Sequence, residues 1–418
     1  MASSGPAPIA IVGGGPCGLT FARLLENAKI PYVVFERDES RTIMGPFQGG
    51  TLDLHKPTGQ EALRVAGLAD EFEKLARRDA MTMSFQGSQG EGFVKFGTEG
   101  ARDAPEIDRL QLRDMLLDSI PEHAIRWGKK LVNVVKDEDK KGAKAFTLQF
   151  ADGTAEGGFR LIVGADGAWS KVRPLITSHK PFYSGYTYIE GRINKGTPQY
   201  DAAVKLVGPG SHCSVGEKRM IAIQQVSDGS YRLYAGIEEP ESLVQAGGPL
   251  DMADGYTKKV EEALLGLFSH WSPDLQAFIK NAEGPWRPWP LYRVDADIFT
   301  DEQLGKSWLR TPGVTLLGDA AHVAIPNGGG VNEAMFDALK LYESLSAELG
   351  KGERQASPYD EEDDVAAVER ALVAYEEEMR PRAREHVLDS LRLADTVYAA
   401  DGIQRFTAMF GKHRKEVA

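Results

Sequence analysis

Three glycine-rich clusters hold the residues whose types and spacing point to chemistry. The first is Gly13-x-Gly15-x-x-Gly18, a pattern suited to gripping a pyrophosphate. Gly13 permits a tight turn, Gly15 lets backbone approach the phosphates, and Gly18 allows close helix–strand packing. A helix that starts there points free N–H groups and a positive dipole end at the anion. Glu36 follows 18 residues beyond Gly18, where a carboxylate accepts from ribose hydroxyls and favours a free 2′-OH over a 2′-phosphate. The second cluster is Gly164-Ala165-Asp166-Gly167-x-x-Ser170-x-Val172-Arg173. It places an acid at a strand end, although Asp-Gly is also a common turn pair. The third is Gly318-Asp319-Ala320-Ala321-His322, then Pro326 and Gly328-Gly329-Gly330-Val331-Asn332. There Asp319 suits a sugar hydroxyl, and the glycines before a helix offer N–H groups to a ring carbonyl. His322 has two readings, a catalytic base or a structural histidine beside the turn.

Each cluster needs a strand to deliver it. Ile9–Val12 is a short apolar run ahead of Gly13, and a helical pattern (Leu19, Ala22, Leu24, Leu25) and a second strand, Tyr32–Phe35, follow it. This is a βαβ unit. Arg160–Val163 and Val314–Leu317 lead into the other clusters. Helices are expected over 60–77, 109–120, 254–268, 273–281 and 330–349. Short β segments are expected over 183–193, 201–207, 219–226 and 231–238. A polar, acidic stretch, 350–364, reads as a solvated linker. Beyond it come helices near 365–379 and 382–400, separated by Pro381.

The composition fits this plan. The chain has 418 residues, 42% hydrophobic, and a net charge of −12 from 49 basic and 61 acidic side chains. Such a balance disfavours nucleic acid and anionic membranes as partners. Two cysteines, Cys17 and Cys213, give neither a disulfide framework nor a zinc site, so no metal is expected and a reducing, cytoplasmic setting is. No signal peptide or membrane span is expected either. Glycine numbers 45, above the usual ~7%.

Taken together and in this order, the three clusters resemble the flavin fingerprints of the single-component FAD-dependent aromatic hydroxylases, typified by para-hydroxybenzoate hydroxylase. Gly50-Thr51-Leu52-Asp53-Leu54-His55-Lys56, Glu106-Ile107-Asp108-Arg109 and Lys129–Val132 further resemble segments of the tetracycline-inactivating flavin monooxygenases. The resemblance implies an α/β fold with a Rossmann-like FAD-binding domain (1–180 and 286–350). A β-sheet substrate domain (181–285) is inserted in it, and C-terminal helices (365–418) follow. It implies FAD held by Gly13, Gly15 and Gly18 at the pyrophosphate, Glu36 at the adenosine ribose, Arg37 near the adenine and Leu131 through its backbone. Asp53 and Arg109 would contact the flavin or its chain, and Asp319 the ribityl or pyrophosphate. Pro326, Gly329, Gly330, Val331 and Asn332 would meet the flavin ring. Asp166 belongs to a motif used for FAD and for the reducing nucleotide, NADPH or NADH.

The implied reaction is hydroxylation of an aromatic or polyketide-like compound, tetracycline among them, by O2 through a flavin hydroperoxide in a monomeric enzyme. Positions that face the drug in those relatives correspond here to Glu190, His212 and Tyr234. An arginine used for NADPH is replaced near Pro46. Two other readings of the scaffold are a flavin halogenase or reductase and a non-catalytic FAD-binding regulator. Trp286-Arg287-Pro288-Trp289-Pro290 lacks the spacing of the halogenase Trp-x-Trp-x-Ile-Pro motif.

Overall fold

Four-residue apolar runs buried on both faces become central strands of a parallel sheet. Ile9–Val12 and Leu161–Gly164 are fully buried in this way. In the computed structural model, which describes residues 6–42, 49–97, 103–137, 139–300, 307–350 and 360–408, they pair side by side. The sheet runs Val314–Leu316, Leu161–Gly164, Ile9–Val12, Tyr32–Phe35, Ile125–Arg126, and every pairing is parallel. All the strand ends that precede a glycine cluster therefore lie along one edge. The position near Pro46 and most of the 350–364 stretch fall outside the described residues.

A second, seven-stranded sheet stands beside the first. Its order is Glu283–Arg293, Phe182–Ile193, Tyr231–Glu238, Arg219–Gln225, Ser211–Gly216, Met83–Gly87, Val94–Phe96. Two strands thus come from the 83–96 region, and a third runs on to Arg293, beyond the expected 181–285 segment. One face packs Ile189, Ile221, Leu233 and Ile237 against the helices Lys258–Leu267 and Pro273–Lys280. The other face packs Phe85, Cys213 and Met220 against Ile325 and the end of the C-terminal helix.

Three expectations need correction. Residues 201–207 are not a strand. Tyr200–Leu206 is a helix, with Asp201 in its first turn and Lys205 in its last, where each complements the helix dipole. The strand beside it is Ser211–Gly216. The 60–77 helix is divided into Glu61–Val65 and Ala69–Leu75, with Gly67 at φ +71° between them, a conformation that glycine adopts without strain. Finally, Pro381 does not separate two helices. Glu361–Val397 is one 37-residue helix with Pro381 inside it. Its buried stripe, Val368, Ala371, Leu372, Tyr375, Met379, Ala383 and Val387, continues past the proline in the main core. That continuous burial outweighs the lost backbone hydrogen bond. Tyr375 Oη donates to Leu316 O at 3.0 Å, which docks this helix on the edge strand of the parallel sheet.

Candidate active site

The site begins where the parallel strands end. Gly13, at φ +112°, lies so close to the neighbouring loop that a Cβ would sit 2.2 Å from Ala165 O, and a Cβ on Gly18 would sit 2.1 Å from Gly13 O. Both are glycine for packing. Gly15 differs, because a Cβ there meets nothing within 4 Å. It caps the helix Pro16–Asn27 without any side-chain acceptor, so its free N–H groups face open space. Glu36 closes the other side of this cradle. It is 7% exposed and accepts from Gly14 N at 2.6 Å and Asp38 N at 2.9 Å. Lys129 N donates to Glu36 O at 2.8 Å, which brings the strand containing Leu131 alongside. Leu131 is buried and Arg37 is exposed.

The second and third clusters are locked together by Arg173. Its guanidinium donates to Ala168 O and Ala320 O at 2.7 Å each and to Asp319 O at 2.6 Å. Burial pulls this guanidinium down to about 10. Asp166 accepts from Lys171 N at 2.7 Å through one oxygen. Its other oxygen is buried and has no partner among the described residues, and burial raises its pKa. Asp319 is exposed at the start of a short helix, Asp319–His322.

Behind Asp319 lies a buried ionic cluster. Asp337 accepts from Gly318 N at 2.8 Å and from Arg382 at 2.9 Å, and it pairs with His322 Nε2 at 2.6 Å. His322 is 1% exposed and Asp337 fully buried. His322 is thus held inside the cluster, where its contact with Asp337 tethers the turn. Burial works against both charges, but each partner outweighs it, so His322 is raised and Asp337 lowered. The Cys17 thiol donates to Ala334 O at 2.9 Å. Burial, with Asp337 and Asp319 nearby, pushes its pKa well up, as expected of an inert thiol.

The glycine loop before Gly330–Leu349 forms the remaining wall. Gly328 has φ +82°, and a Cβ on it would lie 3.7 Å from Asp53 Oδ1. Asn332 is a stitch, with Nδ2 donating to Asp53 O at 2.8 Å and Oδ1 accepting from His55 N at 2.7 Å. The helix is capped by Gly329, which offers no side chain, so the N–H groups of Gly330 and Val331 have no side-chain partner among the described residues. The antiparallel pair Thr51–Asp53 and Glu106–Asp108 carries Asp53 and, one residue on, Arg109. The Arg109 side chain lies against Gly49.

A cavity of about 310 Å³ adjoins this wall, lined by Asp53, Pro326 and Gly328, the apolar face of the seven-stranded sheet and the end of the C-terminal helix. Tyr234 lines it and stands opposite Glu190 in the sheet register. Glu190 is 2% exposed and accepts from Trp289 Nε1 at 2.7 Å, beside the cavity rather than in its lining. His212 borders the cavity, yet its imidazole lies on the other face of the sheet, held by Ser84 and Ser214 at 2.8 and 2.9 Å. Burial lowers it to about 4.

Sequence reasoning missed Asp337, Gln224 and the C-terminal contribution of Leu393, Val397 and Tyr398. Asp337 did leave a signal, a carboxylate among Met335, Ala338 and Leu341 on a buried helix face. The others left none, because only packing brings them to the cavity.

The sequence profile of the FAD binding domain family matches residues 6–188 and 294–387. Monooxygenase penA of Penicillium thymicola is 29% identical over 413 residues, spanning 90% of this chain and 92% of its own. Monooxygenase asqM of Emericella nidulans is 31% identical over 376 residues, 81% and 83% of the two chains. Klebsiella pneumoniae HpxO, solved with FAD and uric acid, has a TM-score of 0.71 at 23% identity, over 98% of this chain and 93% of that one. Tetracycline destructase Tet(51) has a TM-score of 0.66 at 14% identity, over 99% and 97%, a likeness of fold.

Proposed function

Because the chain belongs to the FAD binding domain family and is one of its flavin-dependent monooxygenases, we propose that it hydroxylates an aromatic or polyketide-like small molecule with O2, drawing electrons from NADPH or NADH. The observation that carries this reading is the cavity itself. Its apolar space opens directly onto Asp53, Pro326 and Gly328, the wall at which a flavin ring would meet substrate.

The residues fit FAD. The open space over Gly15, two helix starts without side-chain caps and a buried Asp166 oxygen with no partner among the described residues are the features that a dinucleotide would satisfy. When bound, FAD supplies the redox chemistry that a side chain cannot. The protein's part is to bind, orient and exclude water. Gly15 and the helix start beyond it would hold the pyrophosphate end, on a turn that Gly13 and Gly18 make possible, and Glu36, with Arg37 and Leu131, would hold the adenosine end. Asp319 and Asp166 would hold the middle, and Asp53, Arg109 and the Pro326–Asn332 loop would hold the ring. Met83, Phe85 and Met220 in the cavity lining exclude water from the reacting face. Burial raises the Tyr188 and Tyr234 phenols, so both stay protonated and serve as neutral donors. Tetracycline is one member of the proposed substrate class, supported by fold likeness alone.

The test is direct. The purified protein is expected to release FAD on denaturation, to oxidise NADPH or NADH faster when an aromatic substrate is present, and to yield a product 16 mass units heavier. A protein that takes up no FAD, or whose bound FAD no nicotinamide reduces, overturns the proposal. Asp319→Ala is expected to stay folded, because the side chain is exposed, and to bind FAD roughly tenfold more weakly through loss of a charge-assisted hydrogen bond. Equal retention of FAD in side-by-side titrations would remove Asp319 from the cofactor site.

A further inference from the structure

Gly50 sits where the seven-stranded sheet meets the wall that carries Asp53. A Cβ on it would lie 2.6 Å from Gln224 Oε1 and 2.9 Å from the Tyr234 hydroxyl, so its being glycine lets these two side chains reach the backbone. Thr51 N donates to Gln224 Oε1 at 3.2 Å. That contact fixes the orientation of the amide, because a backbone N–H only donates and must meet the oxygen rather than the nitrogen. The NH2 group of Gln224 is therefore the end left for the cavity that this residue lines, and no acceptor meets it among the described residues. Thr51 opens the strand Thr51–Asp53, whose last carbonyl is held by Asn332 of the glycine loop.

Two hydroxyls stand beside this amide. Ser211 is the register partner of Gln224 on one side and of Met83 on the other, so Ser211 and Gln224 share a face of the sheet. Ser211 N donates to Thr82 O at 2.9 Å. Thr82 Oγ1 is packed over Gly210, where a Cβ would lie 2.5 Å from it. Both side chains line the same cavity, and both hydroxyl oxygens are buried with no partner among the described residues. One amide NH2 and two hydroxyls thus converge at one edge of the cavity with their protons free to donate. A carbonyl oxygen has two lone pairs in its plane and takes two such donors at once. An alkyl group of the same size in that place leaves them buried and unpaired, which is the condition under which a polar site discriminates strongly.

We propose that Gln224 is a specificity-determining residue: its NH2 group, with Ser211 and Thr82, receives a carbonyl oxygen of the substrate, while its own oxygen holds the Thr51–Asp53 strand. One side chain then grips both the substrate and the wall at which the flavin ring would lie. This rests on the monooxygenase reading and names the group by which its cavity recognises and orients a substrate.

The experiment uses the FAD-loaded enzyme at neutral pH and pairs of nearly equal shape that differ in the carbonyl. One pair is 4-hydroxyacetophenone and 4-isopropylphenol, and the other is 6-acetyl-2-naphthol and 6-isopropyl-2-naphthol. Binding is read from the perturbed flavin absorbance, and turnover from substrate-stimulated oxidation of NADPH. In each pair the ketone is expected to act at a concentration about tenfold lower. Equal or tighter action of the alkyl members, or no response to any of the four by an enzyme with an intact flavin spectrum, overturns the inference and leaves the monooxygenase reading standing. Absence of a flavin spectrum overturns that reading, and the inference with it. Gln224→Glu keeps an oxygen for Thr51 N and removes the NH2 group, so it is expected to hold FAD within about threefold of the unaltered chain and to lose the preference for ketones. A Gln224 that only held the strand would let Gln224→Glu keep that preference, and this result also overturns the inference. Gln224→Met, which lacks both groups, is expected to lose the preference as well, and a ketone preference that survives in it overturns the inference whether or not Gln224→Glu folds.

Discussion

Gly15→Val is expected to fold like the unaltered chain and to lose FAD. Gly15 has φ −78° and ψ 177°, a conformation open to any residue, and a Cβ there has no neighbour within 4 Å. The substitution therefore costs the apoprotein only the small difference between a glycine and an apolar N-cap, about 1 kcal/mol or less. In the cradle the cost is much larger. The space that the side chain fills is where the phosphates must approach the free N–H groups at the start of the Pro16–Asn27 helix. Losing one or two charge-assisted hydrogen bonds, each worth about 1.5–3 kcal/mol, weakens FAD by roughly 100-fold. Thermal melts and FAD titrations separate the two effects. Gly18→Val is the control with the opposite pattern, because its Cβ would sit 2.1 Å from Gly13 O and should prevent folding. If Gly15→Val binds FAD within about threefold of the unaltered chain, a difference under 1 kcal/mol, the pyrophosphate does not lie there.

Asp337→Ala is the second large effect, and it falls on stability. The substitution leaves His322 and Arg382 without their buried partner and frees Gly318 N. Breaking a buried pair from one side costs about 3–5 kcal/mol, which lowers the thermal midpoint of a chain this long by roughly 5 °C. The pH dependence follows from the two shifts. Asp337 is held below its ordinary value, so its contribution is present above about pH 3.9 and lost as pH falls through the folded value. His322 is held above its ordinary value, so its contribution is full below about pH 6.5 and lost as pH rises through the folded value. The cluster therefore stabilises the fold most between about pH 4 and 6.5, and melts across pH 3–9 should show that dome flattened in Asp337→Ala. A variant melting within about 1 °C of the unaltered chain, the shift for about 1 kcal/mol, would show that the cluster does not tie the Asp319 turn to the core.

The strand, glycine turn and helix start of the first cluster were legible in the chain because their geometry is local. Glycines at fixed spacing, each after a buried apolar run, specify a strand, a turn and a helix start within a few residues. Neither Gly13 at φ +112° nor Gly18 against Gly13 O has room for a side chain. The parallel sheet then follows from burial on both faces, which gathers the three clusters on one edge. The substrate end had no such local mark. His212 and Cys213 are neighbours in sequence, but alternation along the strand sends them to opposite faces, His212 to Ser84 and Cys213 to the cluster around the C-terminal helix. A shift of one residue, invisible in composition, decides which of them a ligand meets.

Likewise Pro381 reads as a stop, and only the continuous burial of Leu372, Tyr375, Met379 and Ala383 carries the helix across it. That continuation delivers Val397 and Tyr398 to the cavity. By itself the sequence determined which cofactor the chain is shaped for, because backbone spacing suffices for phosphate and ribose. The tertiary structure decided which side chains line the cavity. They come from strands and a helix far apart in the chain, and they acquire a common environment only when the two sheets and the C-terminal helix pack.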